Sequence, residues 1–201
     1  MITEQQFFNA SKIIGCSISA IRAVYDVEAA GRGYLTDGRV KILFEGHRFW
    51  KRLSKVGGVT DIVLQQQAKL HPNVLYKNWD KKQYKGGAAE WDRMSEAIAL
   101  CSELNVNPII ALDSASYGSF QIMGENALLC GYANSQEMLA AYNSKGEAEQ
   151  LDSFCRFVKA TGLDDELRAK NWAAFAKGYN GTSYRENSYD KKLAAADKKY
   201  S

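Results

Sequence analysis

Apolar side chains recur at helical spacing almost from the first residue, where Phe7, Ala10, Ile13 and Ile14 follow the capping-box pattern Thr3-x-x-Gln6 and Gly15 closes the segment. A second helix is predicted from near Ser17, with Ile18, Ile21, Val24, Tyr25 and Val27 leading to Gly31 as a left-handed C-cap. The period then changes. Tyr34-Leu35, a Thr36-Asp37-Gly38 turn and alternating Val40, Ile42 and Phe44 predict a short hairpin over 33–45. Phe49, Trp50 and Leu53 continue an apolar face until Gly57-Gly58 breaks it. From there to Gly86-Gly87 the chain is polar, with Tyr76, Trp79 and Tyr84 among lysines. That stretch is expected to be a long, partly irregular excursion, either the wall of a substrate groove or a solvated loop.

Helical patterning returns at 88–104 through Trp91, Met94, Ile98, Leu100 and Cys101, and stops near Asn107-Pro108. Ile109 to Leu112 reads as the lead-in to a buried helix. The next stretch, SASYGSFQIMG from Ser114 to Gly124, has the small residues that let another chain element or a ligand approach the backbone closely. Further helices are predicted over 135–142, 147–161, 164–170, 172–179 and 188–200, with no internal repeat or linker between them. The pattern therefore predicts one domain over 1–201, mainly α in an α+β arrangement, with one small β-hairpin near 33–45.

Composition narrows the function classes. An apolar fraction of 46% and a charged fraction of 24% are ordinary for a globular chain, and no apolar run reaches the length of a bilayer span. A net charge of +3 is too small to argue for nucleic acid, although it suits an anionic polymer such as a cell wall. Cys16, Cys101, Cys130 and Cys155 form no C-x-x-C pair and lie far in sequence from His47 and His71, so buried thiols are expected rather than a metal site. There is no G-x-S-x-G elbow, H-E-x-x-H pair or phosphate-binding loop. The N-terminus, with Glu4 early, lacks the basic-then-apolar layout of a secretory signal.

Two carboxylates stand out. Glu28 falls in the last turn of the second predicted helix, where the partial negative charge of the helix end and the apolar Val24, Val27, Ala29 and Ala30 would raise its pKa. A carboxyl that protonates a leaving sugar oxygen near neutral pH needs that shift; the plainer alternative is a surface glutamate. Glu45, at the end of the alternating segment, suits a base that positions water, a structural partner of Arg39, Lys41 or Arg48, or a solvated side chain. Asp37 reads as a turn residue, and His47 as a structural imidazole.

Four stretches together resemble the N-acetylmuramidase family of phage endolysins, relatives of goose-type lysozyme and the soluble lytic transglycosylases. They are VEAAGRGYLTDGRVKILFEGHRFW from Val27, SASYGSFQIMG from Ser114, QLDSFCRFV near Gln150 and NWAAFAKGYNGTSY over Asn171 to Tyr184. The resemblance runs over nearly the whole chain. It implies a lysozyme-like fold and a peptidoglycan hydrolase that cuts the β-1,4 bond between N-acetylmuramic acid and N-acetylglucosamine for host cell lysis, without metal or organic cofactor. Glu28 would be the catalytic acid, Ser116, Gly118 and Gln121 would line the sugar groove, and Tyr179 would lie close to the acid with Asn180 nearby. Glu45 and Asp37 are the candidates for a second carboxylate. Lytic transglycosylases on the same scaffold need none and leave 1,6-anhydro ends; a non-catalytic wall-binding or tail-structural module is the alternative of another class.

The expected partner is bacterial peptidoglycan, met by a monomer made in the host cytoplasm and admitted to the periplasm by a separate membrane-permeabilising protein. Tyr189 to Tyr200, rich in lysine, is either a basic amphipathic helix touching anionic membrane or a terminal helix packed through Leu193 and its alanines.

Overall fold

Thr3 opens the first helix as its spacing requires. In the computed structural model, which describes residues 1–29 and 32–201 but not the side chains of Ala29 and Ser183, its hydroxyl accepts from Gln6 N while the Gln6 side chain accepts from Thr3 N at 2.8 Å. This helix, α1 (Glu4–Ile14), ends at Gly15 with φ 81°. The next, α2 (Ile18–Ala29), buries Ala20, Ile21, Ala23 and Val24 and carries Glu28 in its last turn. The expected C-cap at Gly31 lies outside the described residues, as does Ala30.

The Thr36-Asp37-Gly38 turn forms, with Gly38 at φ 84° and Leu35 N donating to Arg39 O at 2.8 Å. Its pairing, however, is confined to a single bridge between Tyr34 and Val40. The strand that follows, β1 (Ile42–Phe44), leads into α3 (Gly46–Leu53), α4 (Asp61–Leu70), α5 (Ala89–Glu103) and the short α6 (Ile109–Leu112). Then come β2 (Ala115–Tyr117) and β3 (Ile122–Met123). These make a three-stranded antiparallel sheet in the order β1-β2-β3, with Leu43 opposite Ser116 and Ser116 opposite Met123. The hairpin expected over 33–45 is thus borne out around its turn, over 33–41, and corrected beyond it: β1 takes its ladder partner from the small-residue stretch. Ala115, Ser116 and Tyr117 are all buried, as fits a central strand covered on both faces.

A second correction concerns the excursion after Gly58. Residues 61–70 form α4, capped by the Thr60 hydroxyl. The pattern hid it because α4 buries only Leu64 and leaves Ile62 and Leu70 exposed. From His71 to Gly87 the chain is irregular apart from a 3-10 turn at 81–83, as expected.

The remaining helices are α7 (Ser135–Lys145), α8 (Glu147–Ala160), α9 (Asp164–Ala169), α10 (Trp172–Asn180) and α11 (Tyr189–Tyr200), giving a mainly helical chain with eleven α-helices among the described residues. Aromatic packing ties α8, α10 and the β2–β3 turn together: Phe120 stacks on Phe154 at 4.5 Å, and Tyr179 meets Phe154 and Phe157 edge-on at 6.0 and 5.6 Å. All four cysteines are free thiols, three of them buried.

The terminal helix is a packed element. Leu193 is buried, Lys170 binds Asp197 at 2.8 Å, and Lys199 and Tyr200 both bind Asp26 on α2. The apolar face that a membrane-surface helix would present is therefore turned into the protein against α2 and α10. No helix among the described residues is long and apolar enough to cross a membrane.

Beneath β1 lies a buried ion pair. Glu90 accepts from Arg93 at 2.7 Å and from the backbone of Phe44, Lys85 and Gly86 at 3.0, 2.7 and 3.0 Å. Arg93 in turn donates to Phe44 O, Asn73 O and the Tyr76 hydroxyl. One pair thereby fixes α5, β1 and both ends of the irregular 71–87 segment, because every polar atom in it must find a partner away from water.

Candidate active site

A groove of about 740 Å3 runs between the sheet, the 71–87 segment and the end of α10, and it brings Glu28 and Glu45 to one surface. Glu28 reaches it from the last turn of α2. Burial pushes its carboxyl up to about 7, against the opposing pull of a hydrogen bond from Asn180 and the charge of Lys192. The Asn180 amide donates to Glu28 Oε1 at 2.8 Å, while its own Oδ1 is buried without a hydrogen-bond partner among the described residues. Asn180 is the last residue of α10; Gly181, at φ 84°, ends the helix there. The sequence suggested the direction of the Glu28 shift from the helix end and an apolar setting, and desolvation is its largest cause.

Tyr179 also lines the groove, yet its hydroxyl donates to Phe120 O at 2.6 Å. Burial, and then the charge of Glu28, hold that phenol well above its ordinary pKa, so it serves as a neutral donor. Asn180, expected only nearby, is the direct hydrogen-bond partner of Glu28.

Ser116 and Gln121 form the sheet side of the groove. The Ser116 hydroxyl donates to Gln121 Oε1 at 2.9 Å, and Gln121 Nε2 donates to Gly118 O at 2.8 Å. This closes a tight β2–β3 turn in which Gly118 has φ 73°. Gly118 itself is not among the groove-lining residues: a Cβ there would fall 2.6 Å from the Gln150 side chain, so it permits close packing behind the groove.

Glu45 stands where β1 passes into α3. Tyr84 donates to it at 2.7 Å, and Trp79 Nε1 donates to the Tyr84 hydroxyl at 2.8 Å. Burial raises its pKa, opposed by the Tyr84 bond and then by the charges of Arg48 and Arg93. His47, with Nδ1 3.3 Å from Glu45, is pushed down to about 4 by burial and then by Arg48 and Lys51, so it is neutral at pH 7. Of the cations considered beside Glu45, Arg48 pairs with Glu125 at 2.8 Å and Arg39 with Asp37 at 2.7 Å. Asp37 is exposed at the turn and is not among the groove-lining residues. Among the described residues no group of three or more His, Cys, Asp or Glu side chains is placed to hold a metal ion.

The N-acetylmuramidase family model matches residues 17–201. The chain belongs to the N-acetylmuramidase family. It is also similar to the crystal structure of the Burkholderia AP3 phage endolysin, with 35% identity over 99% of this chain and 71% of that one and a TM-score of 0.80. No curated protein sequence matches. Family membership makes the chain a glycosidase-type, peptidoglycan-degrading enzyme on a lysozyme-like fold.

Sequence reasoning missed several groove residues of this muramidase. Glu125, a third carboxylate, lies one residue beyond SASYGSFQIMG and is paired with Arg48 and Arg52. Trp79 and Tyr84 come from the segment left open as groove wall or loop; aromatic residues among its lysines were the available signal, and the groove wall is what they form. Tyr189, at the start of α11, had no signal at all. Its phenol is pushed up to about 12 by burial and by the charges of both Glu28 and Glu45, which places it near the two acids.

Proposed function

We propose that this muramidase is an endolysin that hydrolyses the β-1,4 bond between N-acetylmuramic acid and N-acetylglucosamine, with Glu28 as general acid and Glu45 holding the attacking water. The observation that carries the reading is Glu28: a carboxyl withdrawn from water at a groove wall, with a pKa of about 7, keeps its proton in a large fraction of molecules near neutral pH, where an ordinary glutamate has lost it. Asn180 fixes its orientation and keeps an unused acceptor for a sugar N–H or hydroxyl. Ser116 and Gln121 would meet the sugar from the sheet side, and Tyr179 would hold the turn that carries them.

The two carboxyls sit in different environments. Burial raises both carboxyls, but Glu28 is opposed chiefly by the neutral Asn180 amide and stands at about 7, whereas the rise of Glu45 is opposed by the Tyr84 hydroxyl and by the charges of Arg48 and Arg93. Such a difference is what acid and base roles require. A second groove carboxylate favours hydrolysis over transglycosylation, in which the muramic acid's own hydroxyl attacks. The enzyme would reach the periplasm from the host cytoplasm once a separate protein has permeabilised the membrane.

The test is twofold. Glu28→Gln should lose lysis of isolated cell walls by at least about a hundredfold, the usual scale for removing a general acid. Mass spectrometry of wild-type digests should show reducing muramic acid ends. Predominant 1,6-anhydro ends would replace the hydrolase with a lytic transglycosylase, and binding to walls with no soluble fragments would replace the enzyme with a wall-binding module.

A further inference from the structure

Arg48, Lys51, Arg52 and Lys55 recur at three- and four-residue spacing along α3 and the turn after it, so they share one face. With Ile110 and Glu125 they line a hollow of about 250 Å3. Arg48 and Glu125 line the catalytic groove as well, so the two depressions share a wall.

The charges in the hollow do not cancel. Arg48 binds Glu125 at 2.8 Å, and Arg52 binds Glu125 at 2.6 Å and Asp113 at 3.1 Å. The side chains of Lys51 and Lys55, both exposed, make no hydrogen bond or ion pair with a described residue, which leaves two unmatched positive charges beside an apolar Ile110 wall. Arg52 Nε is also buried without a hydrogen-bond partner among the described residues. The field reaches the groove, since Arg48 and Lys51 both act on His47.

A glycan chain in the groove brings a second polymer with it. Each muramic acid carries a short peptide stem through its lactyl group, and that stem has free carboxylates and methyl side chains. We propose that the α3 hollow is a stem subsite, in which Lys51 and Lys55 receive a stem carboxylate while the sugars lie in the groove. The proposal rests on the muramidase reading above. It would give this enzyme a preference for stem-bearing peptidoglycan over an uncharged glycan that the groove alone does not supply.

The experiment uses soluble, uncrosslinked peptidoglycan strands free of other wall polymers, compared with the same strands after their stem carboxyls have been converted to amides. Wild-type kcat/KM should be about threefold to tenfold higher on the free-carboxylate strands, the scale of two exposed ion pairs. The double variant Lys51→Glu/Lys55→Glu should lose that ratio, and Lys51→Arg/Lys55→Arg should keep it. A thermal unfolding curve for each variant checks the fold. Equal wild-type rates on both substrates, or a ratio that survives in the glutamate variant, would overturn the stem subsite and leave the muramidase reading standing. Wild type cutting neither substrate would overturn both.

Discussion

Glu28→Gln should stabilise this protein, and by an amount that depends on pH. The glutamine keeps the shape of the side chain and can still accept from Asn180 Nδ2, so the 2.8 Å contact survives. What it removes is the cost of an ionised carboxylate in a desolvated place. Below about pH 4.5 the carboxyl is protonated in both folded and unfolded chains, and the substitution should change little. Between pH 4.5 and 7 the unfolded chain releases its proton while the folded chain retains it, so stability of the wild type falls as pH rises. Above pH 7 the folded chain ionises too and the penalty is complete. A carboxyl held at about 7 rather than 4.5 corresponds to about 3 kcal/mol, at about 1.4 kcal/mol per pH unit. Water at the groove mouth lowers this, and about 2 kcal/mol is the expected gain of the variant at pH 8.5. For a chain of this size that is a rise in Tm of roughly 4–8 °C. Thermal unfolding of both proteins at pH 4 and pH 8.5 measures it. A Tm difference that stays constant between the two pH values, or falls toward high pH, would refute the burial argument for Glu28 and with it the reason for regarding it as the acid.

Wall lysis by the wild type should decline above about pH 7 as Glu28 loses its proton, a limb to be traced in a pH profile of kcat/KM. Tyr84→Phe removes the bond that lowers the Glu45 pKa, so the acid limb of the same profile should move up by roughly one pH unit; an unmoved limb would exclude Glu45 as the base. Arg93→Ala leaves Glu90 buried without its cation and should cost about 3–5 kcal/mol in denaturant unfolding, whereas an effect below about 1 kcal/mol would contradict the account of that pair. Deleting Lys191 to Ser201 strips Leu193 from the core and Lys199 and Tyr200 from Asp26, so isolated walls and permeabilised cells should lose lysis equally. A loss confined to cells would instead restore a membrane role for α11.

The features that the sequence determined by itself are those set by neighbours along the chain. The Thr3 capping box, the left-handed Gly15, the limits of α5, α8 and α10, and the turn at Asp37-Gly38 all depend on residues within a few positions of each other. Glu28 was legible for the same reason, as a carboxylate in a last helical turn. Tertiary structure decided what depends on distant partners. Strands of two or three residues carry almost no period, so the pairing of β1 with β2, more than seventy residues away, was not legible along the chain. α4 escaped notice because a helix that buries one leucine has no apolar stripe. The pKa of Glu28 follows from desolvation by the groove it lines, with Asn180 arriving from a helix near the other end of the chain. The same holds for the surroundings of Glu45, legible only as the end of an alternating segment. Glu125 and Tyr189 are unremarkable in their local sequence, and only the closing of α10 and α11 around the sheet brings them to the groove, because burial and charge fields belong to the assembled surface.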